Sequence, residues 1–370
     1  EEAFLSTTTA THAAAPPANR KKNALSDGQG RLAGILLSPT MLVLFVVVII
    51  PVIMSIRESL FLRSDAVDPN TGMVQSGDAF VGLGNYINAL TSQSDQVTGV
   101  FGTMPRLINA FLNNMYFTVV CVAIETVLGV IMALIMAKAF RGKGIVRAAI
   151  LVPWAIPTIV SAMMWKLIFD ADGVANKIIG QKILWLQDNA WSQLAIIIAD
   201  VWKTAPFIGL LALAGLQTID RQVYEAADVD GASKWQQFTQ ITLPLMKPAL
   251  VVAVLFRTLQ TMGIFELPYG MMGAGKYSVE TLSTFAFFEA RATRYGPAAA
   301  YSVLLFLLVA LVAFLFIRLL GADVIGDEEV KAVAAQRKRQ KLAAKAARSA
   351  GEPPSGSGPV RTITSGEAQQ

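Results

Sequence analysis

Six apolar stretches, each long enough to cross a lipid bilayer, most restrict the fold of this chain. A helix needs about 20 apolar residues to cross a hydrocarbon core of about 30 Å. Backbone polar groups must be satisfied within the bilayer, so such stretches fold as helices. We therefore predict an all-α membrane protein with spans at residues 32–54, 110–137, 148–168, 191–216, 248–268 and 298–320.

Composition supports this class and argues against several others. Charged residues make up 15% of the chain, whereas soluble domains carry about 25%. The single cysteine, Cys121, and the single histidine, His12, offer neither a disulfide nor a zinc cluster, so we expect no metal and no catalytic residue. The net charge of +5 does not indicate nucleic-acid binding, because the basic residues concentrate in segments predicted to face the cytosol.

The distribution of positive charge predicts the topology. The loop between the second and third spans is strongly basic, with Lys138, Arg141, Lys143 and Arg147. Basic loops remain on the cytosolic side of a membrane. Six spans then place both termini in the cytosol of a bacterial cell. We predict a disordered tail at residues 1–31, a membrane domain at 32–321, and a basic, partly disordered tail at 322–370.

A polar island, residues 217–247, separates the fourth and fifth spans. Residues 222–232 are predicted to form a short amphipathic helix, and Gly231 permits the tight turn after it. Pro244 is expected to stop the next segment from extending as a helix. A small-faced helix in a cytosolic loop suits docking onto a soluble partner. An ordinary loop helix without a partner is the alternative.

The spacing within this island carries a family resemblance. Glu-Ala-Ala at 225–227, Gly231 and Ile-x-Leu-Pro at 241–244 are similar to the signature loop of the membrane subunits of binding-protein-dependent ABC importers. The resemblance covers residues 32–321 and implies the type I importer permease fold. It also implies a set of ATPase-coupling residues: Glu225, Ala226, Ala227, Asp228, Gly231, Leu243 and Pro244.

The same resemblance implies the partners. A permease of this family works with a second homologous permease, two ATPase subunits and an external sugar-binding protein. The chain has no G-x-x-x-x-G-K-[ST] phosphate loop. We therefore expect a non-catalytic subunit without a cofactor of its own, with ATP and Mg bound by the ATPase.

Polar residues inside two consecutive spans indicate a translocation path, because such residues face the bundle interior. Each set is spaced at three and four, so its members share one helix face. The candidate substrate-binding residues are Asp200, Lys203, Thr204 and Phe207 in the fourth span, and Arg257, Gln260, Thr261 and Ile264 in the fifth. Alternatively, Asp200 and Lys203 form an internal pair that only neutralises charge.

The substrate is predicted to be a carbohydrate. Asp-Val-Trp-Lys-Thr-Ala-Pro-Phe at 200–207 resembles the sugar-contacting stretch of maltose-type permeases, and Phe-Val-Gly-Leu-Gly-Asn-Tyr at 80–86 resembles a recurring piece of sugar-importer permeases. The basic, Ala-rich C-terminal tail is similar to that of the trehalose permease subunits of actinobacterial importers. The resemblance favours trehalose or maltose, with glycerol phosphate as another possible solute.

Two other functions remain as alternatives. An ion-coupled secondary transporter would use Glu125, Asp200 and Glu266 as proton or sodium sites, but no convincing internal repeat of the spans is found. A membrane enzyme acting on a lipid-linked sugar would need paired carboxylates or a metal cluster at the membrane surface, and neither is found.

Overall fold

The computed structural model describes residues 24–67, 74–91, 96–138 and 140–320. The chain divides into two units, 1–58 and 59–370, which are described in turn. In the first unit, helix α1 (Ala24–Leu44) continues through a π-helical turn (Phe45–Ile49) into α2 (Ile50–Ser59). Helix α1 begins inside the segment predicted to be a disordered tail. The remaining tail predictions, for residues 1–23 and 322–370, lie outside the described residues.

The segment between the first two spans contains regular structure that the sequence pattern did not indicate. Its elements are two antiparallel hairpins separated by a helix: β1 (Phe61–Val67), β2 (Val74–Phe80), α3 (Gly84–Thr91), β3 (Gln96–Gly99) and β4 (Gly102–Pro105). Short hairpins in a polar segment are stabilised mainly by the surface they pack on. Local sequence therefore predicts them poorly.

The side chains of the 80–86 heptad bind the chain at the start of the second unit, where β1 begins. The Asn85 amide donates to the carbonyl oxygens of Ser59 (2.8 Å) and Phe61 (2.9 Å). The Tyr86 hydroxyl donates to the Ser59 hydroxyl (2.7 Å). A turn at Gly82 and Leu83 precedes α3. The heptad thus has a structural role in this protein.

The rest of the described part of the chain is mainly helical. The further helices are α4 (Arg106–Ala137), α5 (Lys143–Ala155), α6 (Thr158–Ile168), α7 (Val174–Ile179), α8 (Asn189–Gln217), α9 (Arg221–Val229), α10 (Lys234–Gln237), α11 (Leu243–Met262), α12 (Glu266–Met272), α13 (Leu282–Arg291) and α14 (Tyr295–Leu320). A π-helical turn (Phe238–Thr242) joins α10 to α11.

Five of the described helical segments are long and apolar enough to cross a membrane, and a sixth span is formed if α5 and α6 are counted together. The five are Leu32–Ser59, Arg106–Ala137, Asn189–Gln217, Lys234–Met262 and Tyr295–Arg318. The predicted third span is not a single helix, because α5 and α6 meet at 94°. The all-α membrane fold is confirmed, and the predicted third span corresponds to the bent pair of α5 and α6.

Helices α4, α8 and α11 form the centre of the second unit, and small residues let them approach closely. A Cβ atom on Gly129 of α4 would lie 2.7 Å from the Ile208 side chain of α8. One on Gly215 of α8 would lie 2.6 Å from Ala249 of α11. Close packing through small residues is a main source of helix association in membranes. The polar side chains of all three helices are thereby brought to one place.

The fifth span differs from the prediction at both ends. Pro244 does not stop a helix but lies in the first turn of α11. The preceding π-helical turn widens the backbone where proline has no N–H to donate. At the other end α11 stops at Met262, whose carbonyl accepts the Asn114 amide (2.8 Å). Glu266, predicted to lie in this span, begins the separate helix α12.

Candidate functional site

The first part of the candidate site is the bend between α5 and α6 in the second unit. Ile156 is extended (φ −72°, ψ 134°) because the ring of Pro157 disfavours the helical region for the residue before it. The bend leaves backbone carbonyl oxygens without helical partners. The Lys203 ammonium donates to those of Trp154 (3.4 Å) and Ile156. Lys203, which was predicted to bind substrate, thus donates to the carbonyl groups left free where the helix is broken.

A buried ionic cluster joins the three central helices. Arg257 of α11 donates through Nε and Nη2 to the Glu125 carboxylate of α4 (2.5 and 3.0 Å) and through Nη2 to the Asp200 carboxylate of α8. The Thr204 hydroxyl also donates to Glu125 (2.7 Å). All three charged side chains are at most 4% exposed. Asp200 is therefore paired with Arg257 rather than with Lys203, which excludes the simple i,i+3 pair.

The same cluster contains a group of atoms with metal-ligand spacing. The Cys121 thiol and the carboxylates of Glu125 and Asp200 lie within 4.8 Å of one another. Carboxylates this close need a nearby cation. The Arg257 guanidinium already supplies that charge through hydrogen bonds to both.

A cavity of about 640 Å³ lies above this cluster, between the bend, α8, α11 and α12. Six of the eight residues predicted to bind substrate line it: Asp200, Lys203, Thr204, Arg257, Gln260 and Ile264. The other two lie behind the lining. Phe207 stacks on Trp154 with ring centroids 6.1 Å apart, and the fully buried Thr261 donates to the Arg257 carbonyl (2.9 Å).

The cavity also contains residues that helical spacing did not indicate. Trp154, Thr158 and Phe265 contribute to its wall, and so does Glu266. The two prolines of the third span were the available signal for Trp154, because a break there turns neighbouring side chains inward. Glu266 lies in the cavity wall only because α11 ends before it.

Three polar side chains of the lining make no hydrogen bond or salt bridge to a described residue: Thr158, Gln260 and Glu266. Gln260 and Glu266 are exposed, and the Glu266 carboxylate interacts with Lys203 only through its charge. Arg257, Asp200 and Lys203, by contrast, already have hydrogen-bond partners inside the protein. Gln260 and Glu266 can therefore bind a ligand without unpairing a buried charge.

The second candidate region is the predicted coupling helix, observed as α9. The Asp220 carboxylate caps its first turn by accepting from the backbone N–H of Gln222 (3.0 Å). Gly231 follows with φ +75°, a conformation that favours glycine, and with open space around it. The predicted amphipathic helix at 222–232 is therefore confirmed, one residue earlier at its start and shorter at its end. We call residues 220–242 the lever segment.

The predicted coupling residues, which lie in the lever segment and directly after it, are not equivalent. Glu225, Ala226, Asp228, Leu243 and Pro244 are exposed, whereas Ala227 is buried. Glu225 pairs with Arg221 at the surface (3.2 Å). Asp228 accepts from Lys234 (2.7 Å) and Gln237 (2.5 Å), and these hydrogen bonds hold the pKa of its carboxyl below the usual range.

Two large apolar side chains of the lever segment point outward. Val229 is 88% exposed and Trp235 is 72% exposed. Neither residue belongs to the family motif, so the sequence pattern did not indicate them. Exposed aromatic and aliphatic residues beside small ones are typical of a docking surface.

The lever segment is joined directly to the cavity. The helical run Lys234–Met262 is continuous and carries Arg257. The Tyr224 hydroxyl is 3.0 Å from that of Thr242, which links α9 to this run. From Lys234 to Arg257 the helix rises about 35 Å. A displacement of the lever segment can thus reach the ionic cluster through one helix.

Comparison with known proteins supports this architecture. Residues 125–325 match the family described as binding-protein-dependent transport system inner membrane component. The trehalose/maltose transport system permease protein MalF of Thermococcus litoralis is 36% identical over 297 residues, which cover 79% of this chain and 94% of MalF. The trehalose transport system permease protein SugA of Mycobacterium tuberculosis is 35% identical over 300 residues, covering 80% and 91%.

A solved structure shares the fold. A chain of a bacterial ABC transporter involved in the import of the acidic polysaccharide alginate superposes with a TM-score of 0.65 at 19% identity. The match covers 80% of this chain and 96% of that one.

Proposed function

This chain belongs to the binding-protein-dependent transport system inner membrane components and is a permease subunit of an ABC importer, and we propose that it conducts a disaccharide of the trehalose or maltose type. The observation that carries this proposal is the cavity beside the bent third span. Its volume of about 640 Å³ falls in the range of about 300–1,000 Å³ typical of small-molecule sites.

The lining of the cavity suits a neutral polyhydroxyl ligand. Gln260 and Glu266 offer donors and acceptors, and Trp154 and Phe265 offer apolar ring faces. The described cations of the lining, Lys203 and Arg257, are already engaged inside the protein. An anion such as glycerol phosphate would have to draw one of them away from its partners. The disaccharide is therefore preferred over glycerol phosphate.

The proposed importer has the partners expected for the family. A second, homologous permease would complete the pathway, and an extracytoplasmic binding protein would deliver the sugar. Two ATPase subunits would bind ATP and Mg and dock on the lever segment from the cytosol. The basic loop at 138–147 supports this orientation, with both termini cytosolic.

Uptake of labelled trehalose and maltose by a deletion strain that carries variants of this chain tests the ligand site. Loss of one hydrogen bond changes affinity about two- to twelvefold. We expect Gln260→Ala and Glu266→Gln to raise the apparent KM for uptake by that factor. Gln181→Ala, in an exposed loop, is the matched control. Normal uptake in both cavity variants would move the ligand site elsewhere.

Coupling is tested at the lever segment. We expect Glu225→Lys and Gly231→Leu to lower uptake while the purified complex continues to hydrolyse ATP, because the docking surface or its turn is altered. Gly142→Leu is the control, since Gly142 also has positive φ (+86°) and open space, but in another loop. If Gly142→Leu uncouples transport equally, the lever segment has no special role in coupling.

A further inference from the structure

A second cavity lies near the lever segment and takes no part in the proposed sugar path. It is a groove of about 970 Å³ between the C-terminal half of α4 and the start of α11. Its walls are aliphatic and aromatic, and include Val127, Ile131, Leu134, Leu243 and Leu250. Val127 is 61% exposed and Ile131 47% exposed, so this side of α4 is open.

The groove is apolar along its walls and cationic at its rim. The charged residues that line it are Lys138 and Lys234, and no acidic residue is found in the lining. Lys234 is paired with Asp228. Lys138 is exposed and has no salt-bridge partner in the described part of the chain. Lys138 therefore offers positive charge to a ligand at the rim.

The position of the rim indicates the depth of the groove in the bilayer. Lys138 directly follows the last residue of a membrane-spanning helix, and Arg141 and Lys143 come next in the chain. Trp235, on the other side of the groove, is 72% exposed. Tryptophan and lysine at the end of a span are typical of the headgroup level of a membrane. The walls therefore lie at the depth of the acyl chains.

We propose that this groove binds an anionic phospholipid, with its acyl chains along α4 and α11 and its phosphate at Lys138. An elongated apolar wall that ends in a cation matches the polarity of such a lipid. Basic pockets between membrane helices on the cytosolic side bind anionic headgroups. The proposed topology assigns the lipid to the cytosolic leaflet.

The site also gives the lipid a contact with the lever segment. Tyr224, Trp235 and Phe238 line the groove opposite α4. A lipid in the groove therefore packs between the lever segment and a central helix. The position of the lever segment then depends on how much anionic lipid the membrane contains.

Photo-crosslinking in reconstituted bilayers tests the site. The full-length chain, purified with its copurifying subunits, is placed in phosphatidylcholine bilayers that contain a little phosphatidylglycerol with a diazirine on its acyl chain. After irradiation, labelled peptides are mapped by mass spectrometry. We expect label on residues 126–138 and 234–250, removed by excess unlabelled phosphatidylglycerol but not by phosphatidylcholine.

Two matched pairs of variants test the contribution of the lipid headgroup and that of the apolar groove separately. Lys138→Gln should lower labelling about fivefold, the effect of one basic residue near an anionic surface, whereas Lys177→Gln on α7 should not change it. Val127→Trp should fill the groove and abolish labelling. Val119→Trp, at an equally exposed position of α4 (68%) outside the groove, should leave it intact.

Three outcomes would overturn the proposal. Equal competition by phosphatidylcholine would show that the groove has no preference for an anionic headgroup. Labelling that is unchanged by both Lys138→Gln and Val127→Trp would show that the label comes from bulk lipid and not from a lipid in the groove. Absence of label in 126–138, with protein cross-links from Val127 to a copurifying subunit, would show that a protein occupies the groove.

Discussion

The ionic cluster of the central helices and the lever segment both contain paired charges, but the pairs have different consequences. Glu125, Asp200 and Arg257 are at most 4% exposed. The side chains of Arg221 and Glu225 are 90% and 66% exposed. Water screens the second pair, whereas the first set is almost completely shielded from solvent. Removing one partner from the buried cluster is therefore costly, whereas removing one from the exposed pair costs little.

This difference indicates that the two regions have different roles in the protein. The cluster holds α4, α8 and α11 together beside the cavity, where an unpaired charge is costly. The lever segment is shaped instead by Asp220, Gly231 and the hydrogen bonds of Asp228, each of which acts locally. Because its stabilising contacts are local, the lever segment can move as a unit. The ionic cluster then determines how that movement affects the three central helices.

The largest expected effect comes from removing the shared cation of the cluster. Arg257→Gln leaves two buried carboxylates without a positive partner and should destabilise the protein by about 3–5 kcal/mol. Thermal denaturation in detergent measures this, and Arg221→Gln is the control with an exposed side chain. We expect no measurable shift for the control.

A combined variant sharpens the same test. Adding Glu125→Gln and Asp200→Asn to Arg257→Gln removes the buried charges together and should recover much of the stability. Failure to recover would mean that shape rather than charge holds the three helices together.

An intermediate effect is expected at the bend. Lys203→Met leaves the carbonyl groups of Trp154 and Ile156 without their donor, at a cost of about 1–3 kcal/mol. Spin labels at Ile145 and Leu167, exposed positions of α5 and α6, should report a broader range of interhelical distances. Lys166→Met, an exposed lysine of α6, should leave the distances unchanged. A narrow distribution in both would show that proline alone sets the bend.

The smallest effect is a local pH dependence of the lever segment. Lys234 and Gln237 lower the pKa of Asp228. A lowered folded-state pKa means that its stabilisation is present at neutral pH and is lost as the pH falls through the lowered value. The mobility of a spin label at Val229 should therefore rise only in strong acid. Asp228→Asn should raise the mobility at neutral pH and remove the acid step. An acid step that persists in Asp228→Asn would assign it to another group.

Much of the architecture could be predicted from local patterns. Apolar length located the spans to within a few residues, except at the bend and at the ends of α11. Polar spacing on two spans selected six residues that line one cavity. Pro244 and Glu266 were misplaced, because a π-helical turn and the Asn114 side chain set the ends of α11. Neither influence is visible in a hydrophobic pattern.

The sequence by itself determined that this chain is a helical membrane protein with a short helix between two spans, since hydrophobic length and turn residues act over neighbouring positions. Only the tertiary structure decided the partners of its buried charges. Arg257 meets Asp200 from 57 residues away and Glu125 from 132 residues away. The choice between Lys203 and Arg257 as the partner of Asp200 depends on how closely three helices pack, which no local pattern records.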